Sequence, residues 1–209
     1  MKVSKPETEQ WLGKYPAGSK KDNTFLGYQK REYELAISKT TNRRLALDIG
    51  AHIGIMSYRL VSDFTMVHAF EPLFHTHLKY NVQSENLVIH PFAVGDKKTQ
   101  LNMRVGIGMS GGSNVTERLQ DSKTYKQVDS VTIDSHNFSD VDFIKIDVEK
   151  YEYNVLIGCK NTIQRNKPVM LIEVDKENEL EVFNFLENLN YTYEKVSNKD
   201  YVCVSNSLS

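Results

Sequence analysis

Residues Leu45–Tyr58 read LALDIGAHIGIMSY. An apolar run carries one acid, Asp48, passes two glycines four apart, Gly50 and Gly54, and turns apolar again. This is the pattern of a buried strand, a tight turn and a helix. In open α/β sheets, ligands bind at the carboxyl ends of the strands, and the first strand–helix turn is the usual place. Gly50 can take a positive φ and lets a ligand approach the backbone. Gly54 lets the next helix pack closely, and that helix points free N–H groups at the ligand. The spacing D-x-G-x-x-x-G is not the dinucleotide fingerprint G-x-G-x-x-G. It fits a ligand without a pyrophosphate, and Asp48 suits a cationic ligand group.

Outward from this unit, strand and helix patterns alternate. Strands are expected over 65–71, 86–94, 142–149 and 168–174, with shorter ones over 97–105 and 127–133. Helices are expected over 24–40, 54–62, 73–84, 151–165 and 177–189. Phe25, Tyr28, Leu35 and Ile37 mark the apolar side of the first helix, and Ile55, Tyr58 and Val61 that of the second. YTYEKV (191–196) and YVCVS (201–205) form a terminal pair around SNKD. Alternation of this kind implies βαβ units in a mainly parallel sheet with helices on both faces. The terminal pair suggests one antiparallel edge strand. Residues 1–23 read as a loosely structured arm.

Glu71 closes the second strand, twenty-one positions after Gly50. A carboxylate at that place can accept hydrogen bonds from both hydroxyls of a ribose. The alternative is an ordinary tight turn and an acid at the start of the helix after Pro72. Together the two features favour an adenosine-type ligand. Further along, Lys145, Asp147 and Glu149 alternate at the end of FIKIDVE, so they share one direction while the chain stays extended. Glu173 ends LIEV, with Asp175 two beyond. These acids can converge at one sheet edge. One could serve as general base, or several could hold a divalent cation such as Mg2+, with Asp147, Glu149 and Glu173 as candidate ligands. Spacing does not separate these options, and a structural pairing of Lys145 with a buried acid is the third.

Composition narrows the field. The chain has 209 residues, 40% hydrophobic and 25% charged, with formal net charge −1. That is enough for one real core, and it lacks the basic balance of a dedicated nucleic-acid binder. No apolar run is long enough to cross a membrane, and the N-terminus lacks the apolar centre of a signal peptide. Cys159 and Cys203 read as buried free thiols, and a cytoplasmic protein is expected. His52 lies in the glycine turn. His75 and His77 point to different helix faces and do not read as metal ligands. His90 reads as a sheet residue. The glycine-rich segment RVGIGMSGGSNV (104–115) lacks the strand and following Lys of a phosphate loop, and reads as a loop near the site. Trp11, Tyr15, Phe25, Tyr28 and Tyr33 either form a lid over an acceptor or dock the N-terminal arm.

LDIGAHIG, AFEP, FAVGD, FIKIDVE and LIEV, in that order over about residues 45–175, resemble the FkbM family of S-adenosylmethionine (SAM)-dependent methyltransferases. The resemblance implies a class I methyltransferase fold, Rossmann-like and three-layered, with a seven-stranded, mostly parallel sheet holding one antiparallel strand. It divides the chain into an arm and amphipathic helix (1–40) and a methyltransferase domain (41–209). It implies donor contacts at Asp48, Gly50, Ala51, His52, Gly54, Glu71, Pro72, Ala93, Val94 and Asp147. Lys145, Asp147, Glu149 and Glu173, placed by their pattern at the strand ends, are the candidate catalytic group. The chain departs from the family where KIDVE is followed by Lys150 instead of the usual Gly, a side chain expected at the site entrance or one that blocks a positive φ. The activity implied is O-methylation of a sugar hydroxyl in a glycan, glycolipid or glycosylated small molecule, with no nucleic-acid partner expected. An RNA ribose 2′-O-methyltransferase using Lys145, Asp147 and Glu173 is the alternative, as is a SAM-binding protein without turnover.

Overall fold

The structure is a computed structural model and describes residues 27–105, 113–116 and 125–206. The arm expected over 1–23, with Trp11, Tyr15 and Phe25, lies outside the described residues, as does 106–112 of the glycine-rich segment.

Helix α1 (Lys30–Ser38) leads into β1 (Leu45–Ile49), α2 (Ile55–Asp63), β2 (Met66–Phe70), α3 (His75–Asn81) and β3 (Leu87–His90). After β4 (Ala93–Val94), β5 (Thr99–Arg104), β6 (Asn114–Val115) and β7 (Tyr125–Val131) comes β8 (Val141–Ile146). The chain closes with α4 (Glu152–Gly158), α5 (Lys160–Asn166), β9 (Val169–Glu173), α6 (Glu179–Asn188), β10 (Tyr191–Lys195) and β11 (Asp200–Ser205). Seven strands form one sheet in the order β10-β11-β9-β8-β1-β2-β3, with β11 antiparallel to both neighbours. The expected antiparallel strand is therefore present, but it is not the edge. β11 inserts between β9 and β10, because Tyr201–Cys203 pairs with Met170–Ile172 and buries both faces.

β1 and β8 are buried end to end and form the centre. One face carries Leu45, Leu47, Ile49, Ile144, Ile146, Met170 and Ile172 against Val155, Leu156, Ile163, Val182 and Leu186 of α4–α6. The other carries Ala46, Val67, Phe143, Leu171 and Val202 against Tyr33 and Ala36 of α1 and Met56 and Leu60 of α2. Both helices turn only part of the predicted apolar side to this core, where Ile37 and Val61 pack beside Tyr33, Ala36, Met56 and Leu60. Leu35 and Ile37 are only half-buried, and Ile55 and Tyr58 pack with Tyr28 and Phe74 beside the sheet's carboxyl edge.

Three other elements depart from expectation. The strand over 86–94 breaks at Pro91, which has no N–H to give a ladder, and its end pairs elsewhere. β4, β7, β5 and β6 build a separate four-stranded sheet that periodicity alone did not reveal. The helix over 151–165 is two helices broken at Cys159, where Gly158 packs so closely on Gly95 that a Cβ would lie 2.0 Å from the Gly95 carbonyl oxygen. Cys159 and Cys203 are buried free thiols.

Candidate active site

The carboxyl ends of β1, β2 and β8 open into one cleft. Asp48, Gly50, Ala51, His52, Glu71, Pro72, Ala93, Val94, Lys145, Asp147 and Glu149 all border it. Gly54 and Glu173 do not line it, but a Glu173 carboxylate oxygen lies within 4.8 Å of oxygens of Asp147 and Glu149, which do. The glycine turn is dictated by close approach. Gly50 has φ +81, and a Cβ there would lie 1.8 Å from the carbonyl oxygen of Asp147, so the ends of β1 and β8 touch backbone to backbone. Gly54, φ +97, starts α2 against Val82. His52 also has a positive φ, 52°. Burial pushes its imidazole down to about 4, so it is neutral, and it meets Phe74 edge-on.

Glu71 is buried and accepts three backbone hydrogen bonds, from His52 (2.8 Å), Leu73 (2.7 Å) and Phe74 (2.9 Å). It therefore ties the glycine turn to the end of β2, and about one of its four lone-pair positions stays open. Burial raises its pKa against the opposing pull of those donors. Asp48 accepts a 2.5 Å hydrogen bond from the Ser57 hydroxyl. Burial lifts its carboxyl to about 6.

Four neighbouring strands raise charged groups on the face covered by α1 and α2. Asp48 of β1 pairs in register with Lys145 of β8, and Glu173 of β9 pairs with Asp200 of β11. Lys145 is fully buried, and its Nζ lies 3.3 Å from Asp147 Oδ2. Burial works against its ammonium, but Asp147, Asp200, Glu173 and Asp48 outweigh it and its pKa is raised. The acids pay in turn. Burial, then repulsion from Asp147, lifts Glu149 to about 7 and Glu173 to about 8.

Oxygens of Asp147, Glu149 and Glu173 lie within 4.8 Å of one another, a donor set that fits a hard divalent cation. No histidine belongs to such a group among the described residues. His90 instead lies 2.9 Å from His68 across β2 and β3. What gathers the three acids is not the alternation expected of an extended chain. β8 ends at Ile146, and Glu149 and Lys150 both take left-handed backbones, φ +51 and +73. Lys150 therefore neither blocks the positive φ nor guards the entrance. Its side chain runs outward to Glu177, at 2.6 Å, and does not border the cleft. Asp175 is drawn aside by Lys199, at 2.7 Å.

Ser113 and Val115, from the segment expected near the site, and Tyr28, one of the aromatics offered as a lid, border the cleft, whereas Met103 and Gln29 escaped sequence reasoning. Tyr151 and Phe74 flank the acids and the glycine turn, one residue past Lys150 and three past Glu71. Tyr33 is no lid residue: it is buried in the core and bonds Asp63.

A sheet of this order, with its acidic cleft at the carboxyl edge, is a class I methyltransferase fold. Solved methyltransferases share it. The methyltransferase FkbM of Methylobacillus flagellatus KT superimposes with TM-score 0.54 at 19% identity, over 77% of this chain and 42% of that one. The precorrin-6y C5,15-methyltransferase of Geobacter metallireducens GS-15 gives 0.52 at 11%, over 85% and 88%. The Streptococcus mutans protein SMU.1697c, solved in complex with SAH, gives 0.52 at 12%, over 83% and 94%. At these identities the likeness is one of fold, and the chain spans less than half of the M. flagellatus protein. No curated protein sequence matches the chain. The family model described as the methyltransferase FkbM domain matches residues 48–193, well over half of the chain. The chain belongs to the FkbM family and is a SAM-dependent methyltransferase. No helix among the described residues is long and apolar enough to cross a membrane.

Proposed function

We propose that this methyltransferase transfers the methyl group to a hydroxyl of a sugar, in a glycan, glycolipid or glycosylated small molecule. The observation that carries hydroxyl chemistry is the gathering of Asp147, Glu149 and Glu173 around buried Lys145 at one end of the cleft. A hydroxyl acceptor must lose its proton, and a carboxylate lifted towards neutral pH is a stronger base than a free one. The sugar is supported by the FkbM resemblance and by the absence of a basic balance in the chain.

The donor brings an activated methyl group on a sulfonium. In our reading Gly50, Ala51 and His52 line its path with backbone, since no Cβ fits at Gly50. Gly54 sets the approach of α2. Glu71, with Pro72 shaping the turn, offers its open lone-pair position to a ribose hydroxyl. Ala93 and Val94 border the adenine end, where Phe92 also lies. Asp48 and Asp147 face the cationic end, where their negative charge favours an ammonium or sulfonium. Glu173 takes the acceptor's proton. Lys145 stays charged, with its Nζ 3.3 Å from Asp147 Oδ2. Asp147, Glu149 and Glu173 also fit a divalent cation, which would lower the pKa of a coordinated hydroxyl. Residues 41–209 then act as the methyltransferase domain, with 1–40 as an added arm and helix, working in the cytoplasm.

The test uses SAM with a labelled methyl group, purified protein and source-cell extract split into glycan, lipid, RNA and protein fractions. Label in the glycan or glycolipid fraction, reduced about 100-fold or more in Glu173→Gln, supports the reading. Label in RNA sinks it in favour of ribose 2′-O-methylation. Donor binding with no label in any fraction points to a protein that binds without turnover. Loss of turnover on EDTA treatment, restored by Mg2+, assigns the three carboxylates to a cation.

A further inference from the structure

Helix α1 and strand β11 lie outside the matched stretch 48–193, and Gln29, at the start of α1, borders the cleft. Glu173 and Asp200 are direct cross-strand partners in the antiparallel β9–β11 pair. Like charges so placed repel. The carboxamide of Gln29 lies between them, its Nε2 donating to Asp200 Oδ1 at 2.9 Å and to Glu173 Oε2 at 3.4 Å. Gln29 is the N-cap of α1, a position whose side chain usually bonds back to its own helix. Here it makes no capping bond and turns to the two acids. The placement has local costs. Gln29 holds a left-handed backbone, φ 47 and ψ 27, and its Oε1 is buried with no hydrogen-bond partner among the described residues. A strained, incompletely satisfied residue beside a reactive cluster points to function more than to folding.

We propose that Gln29 is a positioning residue for methyl transfer: its amide group clamps Glu173 to Asp200 and aims the Glu173 carboxylate at Asp147 and Glu149. The acidic group is thus held by Gln29 and Asp200, two residues beyond the matched family domain. This rests on the reading of Glu173 as proton acceptor.

The experiment measures kcat and KM of the full chain on the label-accepting fraction. Gln29→Gly removes the amide while suiting the left-handed backbone, and Gln29→Glu replaces the donor with a third acid. In Gln29→Gly, kcat is expected to fall about 10-fold and further in Gln29→Glu, while the KM for SAM and the S-adenosylhomocysteine affinity, read by calorimetry, stay within about two-fold of wild type and the melting temperature holds. An unchanged kcat overturns the role of Gln29, and so does a loss of kcat that only follows a loss of melting temperature and donor affinity. Full turnover in Glu173→Gln overturns instead the reading of Glu173 as proton acceptor.

Discussion

Glu173→Gln should weaken the dependence of stability on pH. In the fold, burial and repulsion from Asp147 hold the Glu173 carboxyl at about 8, against an ordinary 4.5. A folded pKa above the unfolded one means that the native state keeps a proton which the unfolded chain releases. Stability from this group is therefore full below about 4.5 and is lost as pH rises through about 8. At ~1.4 kcal/mol per pH unit, the displacement sets a ceiling of about 5 kcal/mol. Glu149, lifted to about 7, opposes the same ionisation, so the loss is shared and about 2–3 kcal/mol should be traceable to Glu173. Gln cannot ionise and keeps the shape. Urea unfolding at pH 5 and at pH 8.5 reads the difference. Wild type should lose stability between the two, while Glu173→Gln should lose less and be the more stable protein at pH 8.5. Parallel losses in the two proteins would refute the placement of Glu173 in a repelling acidic cluster. The same pKa sets activity: turnover should rise with pH towards a plateau above about 8, where Glu173 is ionised.

Other substitutions probe the remaining parts. Gly50→Ala places a Cβ against the Asp147 carbonyl and forces a left-handed alanine, so we expect S-adenosylhomocysteine affinity, read by calorimetry, to fall at least about 10-fold. Lys145→Met strips the cation from Asp48, Asp147, Glu173 and Asp200. It should cost about 3–5 kcal/mol at pH 8 and much less at pH 5, and the double variant with Glu173→Gln should recover part of the loss in urea melts. Lys150→Gly relieves a left-handed backbone at a side chain that leaves the cleft, so melting temperature should hold or rise and donor affinity should not change. A loss of donor affinity there would return Lys150 to the entrance.

Much of this protein was legible in its sequence, for a local reason. LALDI and FIKID are apolar runs that only a buried strand can use, and Gly50 and Gly54 mark where the chain must turn under a steric limit. Those signals lie within a few residues of one another, so they fixed the alternating architecture, the order of the central units and the edge at which the cleft opens. The acids at 147, 149 and 173 were visible because they stand at strand ends. Family likeness supplied the donor. Tertiary structure decided the rest, because it depends on pairings between residues far apart. Pro91 diverts Ala93–Val94 into a second sheet whose partners begin at Thr99 and end at Val131. β11 goes inside β10 because both its faces are apolar enough to bury. Lys150 is harmless because its backbone bends and Glu177, twenty-seven residues on, draws it outward. Gln29 and Asp200 stand 171 residues apart and meet only because α1 packs on the face of the sheet to which β11 turns Asp200. Hydrophobic period and turn chemistry are written residue by residue, but the charge balance around Lys145 exists only once four strands lie side by side.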